Sequence, residues 1–145
     1  MPDAAMTAEE ITQRLALEFP EAFNDRSGLT ILAVSYGTAR VRQGLRQGSL
    51  RPGGTISGPV LMRLTDVSIY IAILATIGWE PLAVTTNLNI NFLKRPAPSP
   101  LISEVRLLKI GKRLVVGDIA ICAEGDDDLV AHATATYSIP PREKS

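Results

Sequence analysis

The chain has 145 residues, 46% of them hydrophobic, so one domain with a buried core is the expected organisation. Lysine and arginine together number 15, as do aspartate and glutamate, which leaves no net charge to attract nucleic acid or an acidic membrane surface. The single cysteine excludes a disulfide framework within the chain, and the N-terminal residues lack the features of a secretion signal, so we expect a cytoplasmic protein.

An amphipathic helix is expected over residues 8–19. Thr7 precedes it and Glu10 follows three residues later, which is the spacing of a capping box. Three apolar side chains then recur four residues apart and share one face of the predicted helix, namely Ile11, Leu15 and Phe19.

Two strands are expected next, over residues 29–36 and 39–45. Gly37 lies between them and predicts a hairpin or a bulge. The first strand alternates at period two, which predicts one apolar face made of Leu32, Val34 and Tyr36.

A glycine-rich loop, residues 47–58, opens into a nearly all-apolar helix predicted over residues 59–78. Pro59 suits the first turn of a helix, where its missing amide has no intrahelical partner. A helix that is apolar on almost every face must be buried on almost every face. Its uncharged run, residues 67–79, is too short to cross a bilayer, so we expect a core helix and no membrane span.

Four more strands are predicted, over residues 84–92, 101–110, 114–122 and 129–137, before a charged tail at 140–145. In the first of them, strict alternation places Thr85 on a polar face with Asn87, Asn89 and Asn91. Short turns favour antiparallel pairing. The fold class is therefore α+β, with an antiparallel sheet of five to six strands around one long central helix, plus an N-terminal helix.

Several segments in this order resemble the PaaI-type branch of the hotdog-fold acyl-CoA thioesterases. They are the run from Gly53 to Asp66, residues 84–93 with the following Pro96 and Ala97, residues 111–114, and residues 129–137. The resemblance spans roughly residues 29–139. It implies a single hotdog domain that pairs into homodimers with a continuous sheet, often into homotetramers. The implied activity is metal-free hydrolysis of acyl-CoA or aryl-CoA thioesters, with coenzyme A entering only as part of the substrate.

The resemblance also implies site residues. The family has a His-Gly-Gly opening with a catalytic carboxylate eight residues after its first glycine, and these positions fall on Gly58 and Asp66. A Ser or Thr that lines the family site falls on Thr85. Two positions depart from the family pattern, because Ser57 replaces the histidine and the family's helper asparagine falls near Arg51. The resemblance implies that Ser57 and Arg51 contact the substrate.

Thioester hydrolysis needs a donor for the oxygen that gains charge, together with a nucleophile or a base that activates water. The helix N-terminus at Gly58 supplies free amides for the first role, and Asp66 is the candidate for the second. Eight helical residues rise about 12 Å, which is too far for both groups to touch one carbonyl. A site would therefore combine Gly58 of one subunit with Asp66 of its neighbour, so we expect at least a dimer.

Simpler interpretations remain open for each of these residues. Asp66 has an arginine three residues before it, Arg63, and the two are spaced for an intrahelical ion pair. Thr85 fits the polar face of an ordinary strand. Lys112 and Arg113 either form a solvated turn or contact the phosphates of coenzyme A.

Three functions follow from these residues. The first is thioester hydrolysis, with Asp66 and Gly58 at the reacting carbonyl and Thr85 orienting water or substrate. The second is a non-catalytic hotdog module that binds an acyl-CoA or a similar apolar ligand. The third, a hydratase or dehydratase, needs an Asp and His pair, and the one histidine, His132, is expected on the outer face of the last strand.

Overall fold

The computed structural model describes residues 2–46, 50 and 53–141, and these form two helices and six strands. The elements in chain order are α1 (Ala8–Glu18), β1 (Leu29–Ser35), β2 (Thr38–Gln43), α2 (Gly58–Ile77), β3 (Val84–Phe92), β4 (Leu101–Ile110), β5 (Leu114–Ala123) and β6 (Leu129–Ser138). All neighbouring strands are antiparallel, in the order β1-β2-β4-β5-β6-β3. The predicted α+β class is confirmed.

The capping box at the start of α1 is present. The amide of Thr7 donates to Glu10 Oε1 at 3.0 Å, and the amide of Glu10 donates to Thr7 Oγ1 at 3.1 Å. Ile11 and Leu15 are buried, as the spacing predicted. Phe19 lies beyond the last helical residue and its ring is tilted against Trp79, with the ring centroids 6.3 Å apart.

Helix α2 begins at Gly58 and ends at Ile77, one residue before the predicted bounds at each end. Gly78 ends the helix with a φ of 97°, a conformation that glycine adopts without the steric cost of a Cβ. By length and composition α2 could also cross a membrane, with a mean hydropathy of 1.8. A core helix of a soluble protein passes the same test, and here 61% of the apolar window is buried within the chain.

The sheet curves around α2 and encloses it. Alternate residues of β5 and β6 face the helix, and they include Val115, Ile119, Ala133 and Ala135. On α2 itself, Ile69, Ile71, Ile73 and Leu74 are essentially inaccessible to solvent. A six-stranded antiparallel sheet around one long helix is the hotdog fold, which confirms the fold that the family resemblance implied.

The strand register shifts within β1, β3, β4 and β6, and the shift in β1 changes which side chains face the core. In β1 the register shifts between Ile31 and Ala33, so Leu32 is the extra residue. Leu32 is 41% exposed, whereas Leu29, Ile31 and Val34 pack against the core. Leu32 was therefore assigned to the wrong face, because strict alternation does not survive an inserted residue. Val34 packs against the core as predicted, and Tyr36 lies beyond the end of β1.

Strand β3 lies at one edge of the sheet and pairs only with β6 among the described strands. Every residue of β3 except Leu88 and Ile90 is exposed. Large apolar side chains stand at both of its ends, since Val84 is 55% and Phe92 is 53% exposed. An open strand edge with flanking apolar side chains is a ready template for pairing with another strand.

Candidate active site

The carboxylate of Asp66 is held by two hydroxyl groups. Thr85 donates a hydrogen bond from Oγ1 to Asp66 Oδ1. The hydroxyl of Tyr137 donates to the same oxygen at 2.9 Å and also lies 3.1 Å from the backbone carbonyl oxygen of Asp66. Helix α2 and strands β3 and β6 thus each contribute one residue to a polar cluster beside the sheet edge.

Thr85 reaches Asp66 because of a bulge in β3. The register of β3 against β6 shifts between Thr85 and Asn87, which makes Thr86 the extra residue. Thr85 pairs with the inward-facing Tyr137, whereas Asn87 pairs with the outward-facing Thr136. The expectation that Thr85 shares a face with the asparagines was therefore wrong, because Thr85 lies on the inner side of the sheet beside the carboxylate of Asp66.

Tyr137 is the site residue that sequence reasoning missed. It is only 3% exposed, and its ring lies 6.2 Å from that of Tyr70. Burial raises the pKa of the Tyr137 phenol above its usual range, and the negative charge of Asp66 acts in the same direction. The phenol therefore stays protonated and remains a donor to Asp66. Its inward position on β6 was readable from the alternation, but its proximity to Asp66 was not.

The ion pair between Arg63 and Asp66 is absent among the described residues. Arg63 instead points to the opposite flank of α2, where its Nη1 lies 3.4 Å from Gln43 Oε1 on β2. Burial, and secondarily the neighbouring Arg46, lower the pKa of the Arg63 guanidinium. Helical spacing permits the pair, but the hydroxyls on the β3 and β6 side hold the carboxylate away from it.

Gly58 lies at the N-terminus of α2, in its first turn, where backbone amides have no intrahelical acceptor. Ser57 is the N-cap residue, but its side chain makes no capping hydrogen bond. A Cβ placed on Gly58 would meet only the ring of Phe92, at 3.7 Å. Arg51, the other predicted substrate contact, lies outside the described residues.

Gly58 and Asp66 open onto separate depressions within one chain. Asp66, Thr85 and Tyr137 line a depression at the start of β3. Gly58 and Phe92 line another at the end of β3. Neither depression contains both predicted catalytic groups, which agrees with the helical rise that separates them.

The turn between β4 and β5 carries Lys112 and Arg113, and both are exposed. Val84 and Leu114 pair with the same residue of β6, Ser138, so this turn and the start of β3 lie at one end of the sheet. Two inter-strand spacings of about 4.8 Å separate them. Lys112 and Arg113, which are predicted to contact the phosphates of coenzyme A, therefore lie at the same end of the sheet as Asp66.

His132 lies on the outer face of the sheet, as predicted. Its Nε2 contacts Asp118 Oδ1 on β5, and Arg106 Nη2 lies 3.8 Å from the other oxygen of Asp118. These groups are separated from Asp66 by the sheet. In the described part of the chain, no three His, Cys, Asp or Glu residues cluster as metal ligands do.

The fold and the hydroxyl-bound carboxylate define a hotdog domain with a candidate hydrolytic site at its edge strand. The chain belongs to the thioesterase superfamily, whose family model matches residues 53–136. A protein of Saccharolobus solfataricus that is provisionally named an esterase is 31% identical over 134 residues, which cover 92% of this chain and 86% of that protein.

Solved structures agree with this assignment. A provisionally named thioesterase from a Silicibacter species is 40% identical, with a TM-score of 0.85, and the match covers 95% of this chain and 94% of that one. The E. coli PaaI protein from the phenylacetic acid degradation operon has a TM-score of 0.78 at 21% identity, over 92% of this chain and 94% of that chain. The second match shows a shared fold.

Proposed function

We propose that this protein is a PaaI-type thioesterase that hydrolyses acyl-CoA or aryl-CoA thioesters, without a metal ion, at sites shared between two copies of the chain. The observation that carries the proposal is the carboxylate of Asp66, fixed by two hydroxyls beside an open strand edge. Membership of the thioesterase superfamily supports the reaction class. Coenzyme A enters as part of the substrate.

Pairing of two copies along β3 would complete each site. Two identical edge strands related by a twofold axis run antiparallel, so the start of one β3 lies beside the end of the other. Asp66 contacts the start of β3 through Thr85, and Gly58 lies at the end of β3 beside Phe92. The pairing therefore brings Asp66 of one chain towards Gly58 of the other. A homotetramer would be two such homodimers.

Each group then has a defined role. The amide of Gly58, at the positive end of the α2 dipole, donates to the carbonyl oxygen as it gains charge. Asp66 removes a proton from the attacking water, the C–S bond breaks, and coenzyme A leaves as the thiol with a proton returned to its sulfur. In the alternative route Asp66 attacks the carbonyl carbon and expels the same thiol, and water then hydrolyses the acyl-Asp66 anhydride to the free acid. Thr85 orients this carboxylate, and Ser57 lies beside the acyl group. Lys112 and Arg113 contact the phosphates of coenzyme A at the Asp66 end.

The test is thiol release from a panel of acyl-CoA and aryl-CoA esters by the native protein and by Asp66→Asn. We expect turnover by the native protein and a loss of about 10²-fold to 10⁴-fold in the variant, because the amide cannot act as base or nucleophile. Asp118→Asn is the matched control, since it makes the same change on the outer face of the sheet. It should retain native turnover.

Two outcomes would contradict the proposal. Turnover that survives Asp66→Asn would remove the carboxylate from the mechanism. Tight binding of the same thioesters with no turnover by the native protein would instead favour the non-catalytic binding module.

A further inference from the structure

The two hydrogen bonds to Asp66 are distributed unevenly over its carboxylate. Both Thr85 and Tyr137 donate to Oδ1. Within the described part of the chain, Oδ2 accepts no hydrogen bond. A carboxylate oxygen that already accepts two hydroxyl protons is a weaker base and nucleophile than one that accepts none, because donors stabilise its negative charge.

We infer that Tyr137 is a positioning residue that, together with Thr85, fixes Oδ1 of Asp66 and leaves Oδ2 as the oxygen that acts on the thioester. The inference rests on the proposed function and adds to it a residue and a choice of reacting atom. Two donors on one oxygen fix the rotation of the carboxyl group about its bond to Cβ. Such restraint favours catalysis, because the reaction is fastest when the reacting group is held in the geometry of attack.

The position of Tyr137 suits this role better than a purely structural one. Its ring is buried in the core, and its hydroxyl emerges at the depression that Asp66 and Thr85 line. The main-chain pairing of Thr85 with Tyr137 brings the two hydroxyls to the same side of α2. Phenylalanine would retain the packing of this ring and remove only the donor.

The experiment compares Tyr137→Phe, Thr85→Val and the double variant in thioester hydrolysis, with Tyr36→Phe in the β1 to β2 turn as matched control. We expect each single change to lower kcat by about 10-fold to 100-fold, the usual range for one hydrogen bond to a charged group, with KM retained. The double variant should lose more than the product of the two single losses, because either donor alone still restrains Oδ1.

The outcomes separate this inference from the proposed function. If the native protein turns over thioesters and Tyr137→Phe keeps kcat within twofold, the positioning role is refuted while the proposed function stands. If Tyr137→Phe raises KM and leaves kcat unchanged, the residue binds substrate and the inference is again refuted. A native protein without turnover on any thioester refutes both.

Discussion

Two inactive variants of this protein should restore activity when their subunits mix. Gly58→Val places a side chain in front of the α2 N-terminus, and the fold tolerates a Cβ there because its nearest neighbour is the ring of Phe92 at 3.7 Å. Valine keeps the backbone amide but blocks the approach of a carbonyl oxygen to it, so we expect a loss comparable to that of an oxyanion donor, about 10²-fold to 10³-fold in kcat. Asp66→Asn disables the other half of the site. Each variant alone should therefore be nearly inactive.

The recovered activity follows from how the two variant chains combine in one dimer. In the proposed dimer each site takes Gly58 from one chain and Asp66 from the other, so a mixed dimer would have one intact site and one site with both changes. Random pairing of equal amounts makes about half of the dimers mixed. Half of their sites are intact, so the mixture should regain about a quarter of native turnover.

The assay co-expresses the two variants with different affinity tags and measures thiol release by the total mixture and by purified mixed dimers. The mixed dimers should show about half of the native turnover. A control that pairs Asp66→Asn with Asp66→Ala should regain nothing, because both chains are damaged in the same half. If purified mixed dimers stay as inactive as the single variants, Gly58 and Asp66 do not act across two chains.

Two further predictions follow from the geometry. Gly117→Ala in β5 should lower the free energy of unfolding by about 1–3 kcal/mol, because its Cβ would lie 2.7 Å from Cδ1 of the fully buried Ile69; an unchanged urea midpoint would contradict this reasoning. Replacing Lys112 and Arg113 by alanine should raise KM for CoA thioesters and leave KM unchanged for a thioester of the same acyl group on a short thiol without phosphates. Equal effects on both substrates would exclude a phosphate contact.

The order and bounds of the elements were largely readable from the sequence. Strands β3 and β4 begin and end at the predicted residues, because period-two alternation marks β3 and because prolines before β4 and a glycine after it mark its ends. The same holds for α2, which Pro59 and Gly78 delimit to within one residue. Each of these features depends on neighbours in the chain and not on pairing with distant segments.

The faces of the strands and the partners of the site were less readable. Leu32 and Thr85 were assigned to the wrong faces because a bulge adds one residue without a local sequence signal. The bond between Tyr137 and Asp66 joins residues 71 apart, so it depends on how α2 sits against β6. The partner of Arg63 also depends on a distant segment of the chain. Gln43 on β2 provides an alternative to the carboxylate of Asp66, which lies one turn away on α2.

The extra residue at Thr86 also bears on how relatives of this chain are compared. Deleting it would leave Thr85 opposite Tyr137 in a regular ladder, so Thr85 would stay on the inner face, and Leu88 and Ile90 would keep their places against the core. The hydroxyl beside Asp66 is thus set by which residue of β3 lies opposite Tyr137, and a count of residues along the strand does not identify it. A relative that is one residue shorter here can keep this contact without a bulge, so a gap at this point is compatible with the same site, whereas a substitution at Asp66 removes the carboxylate itself.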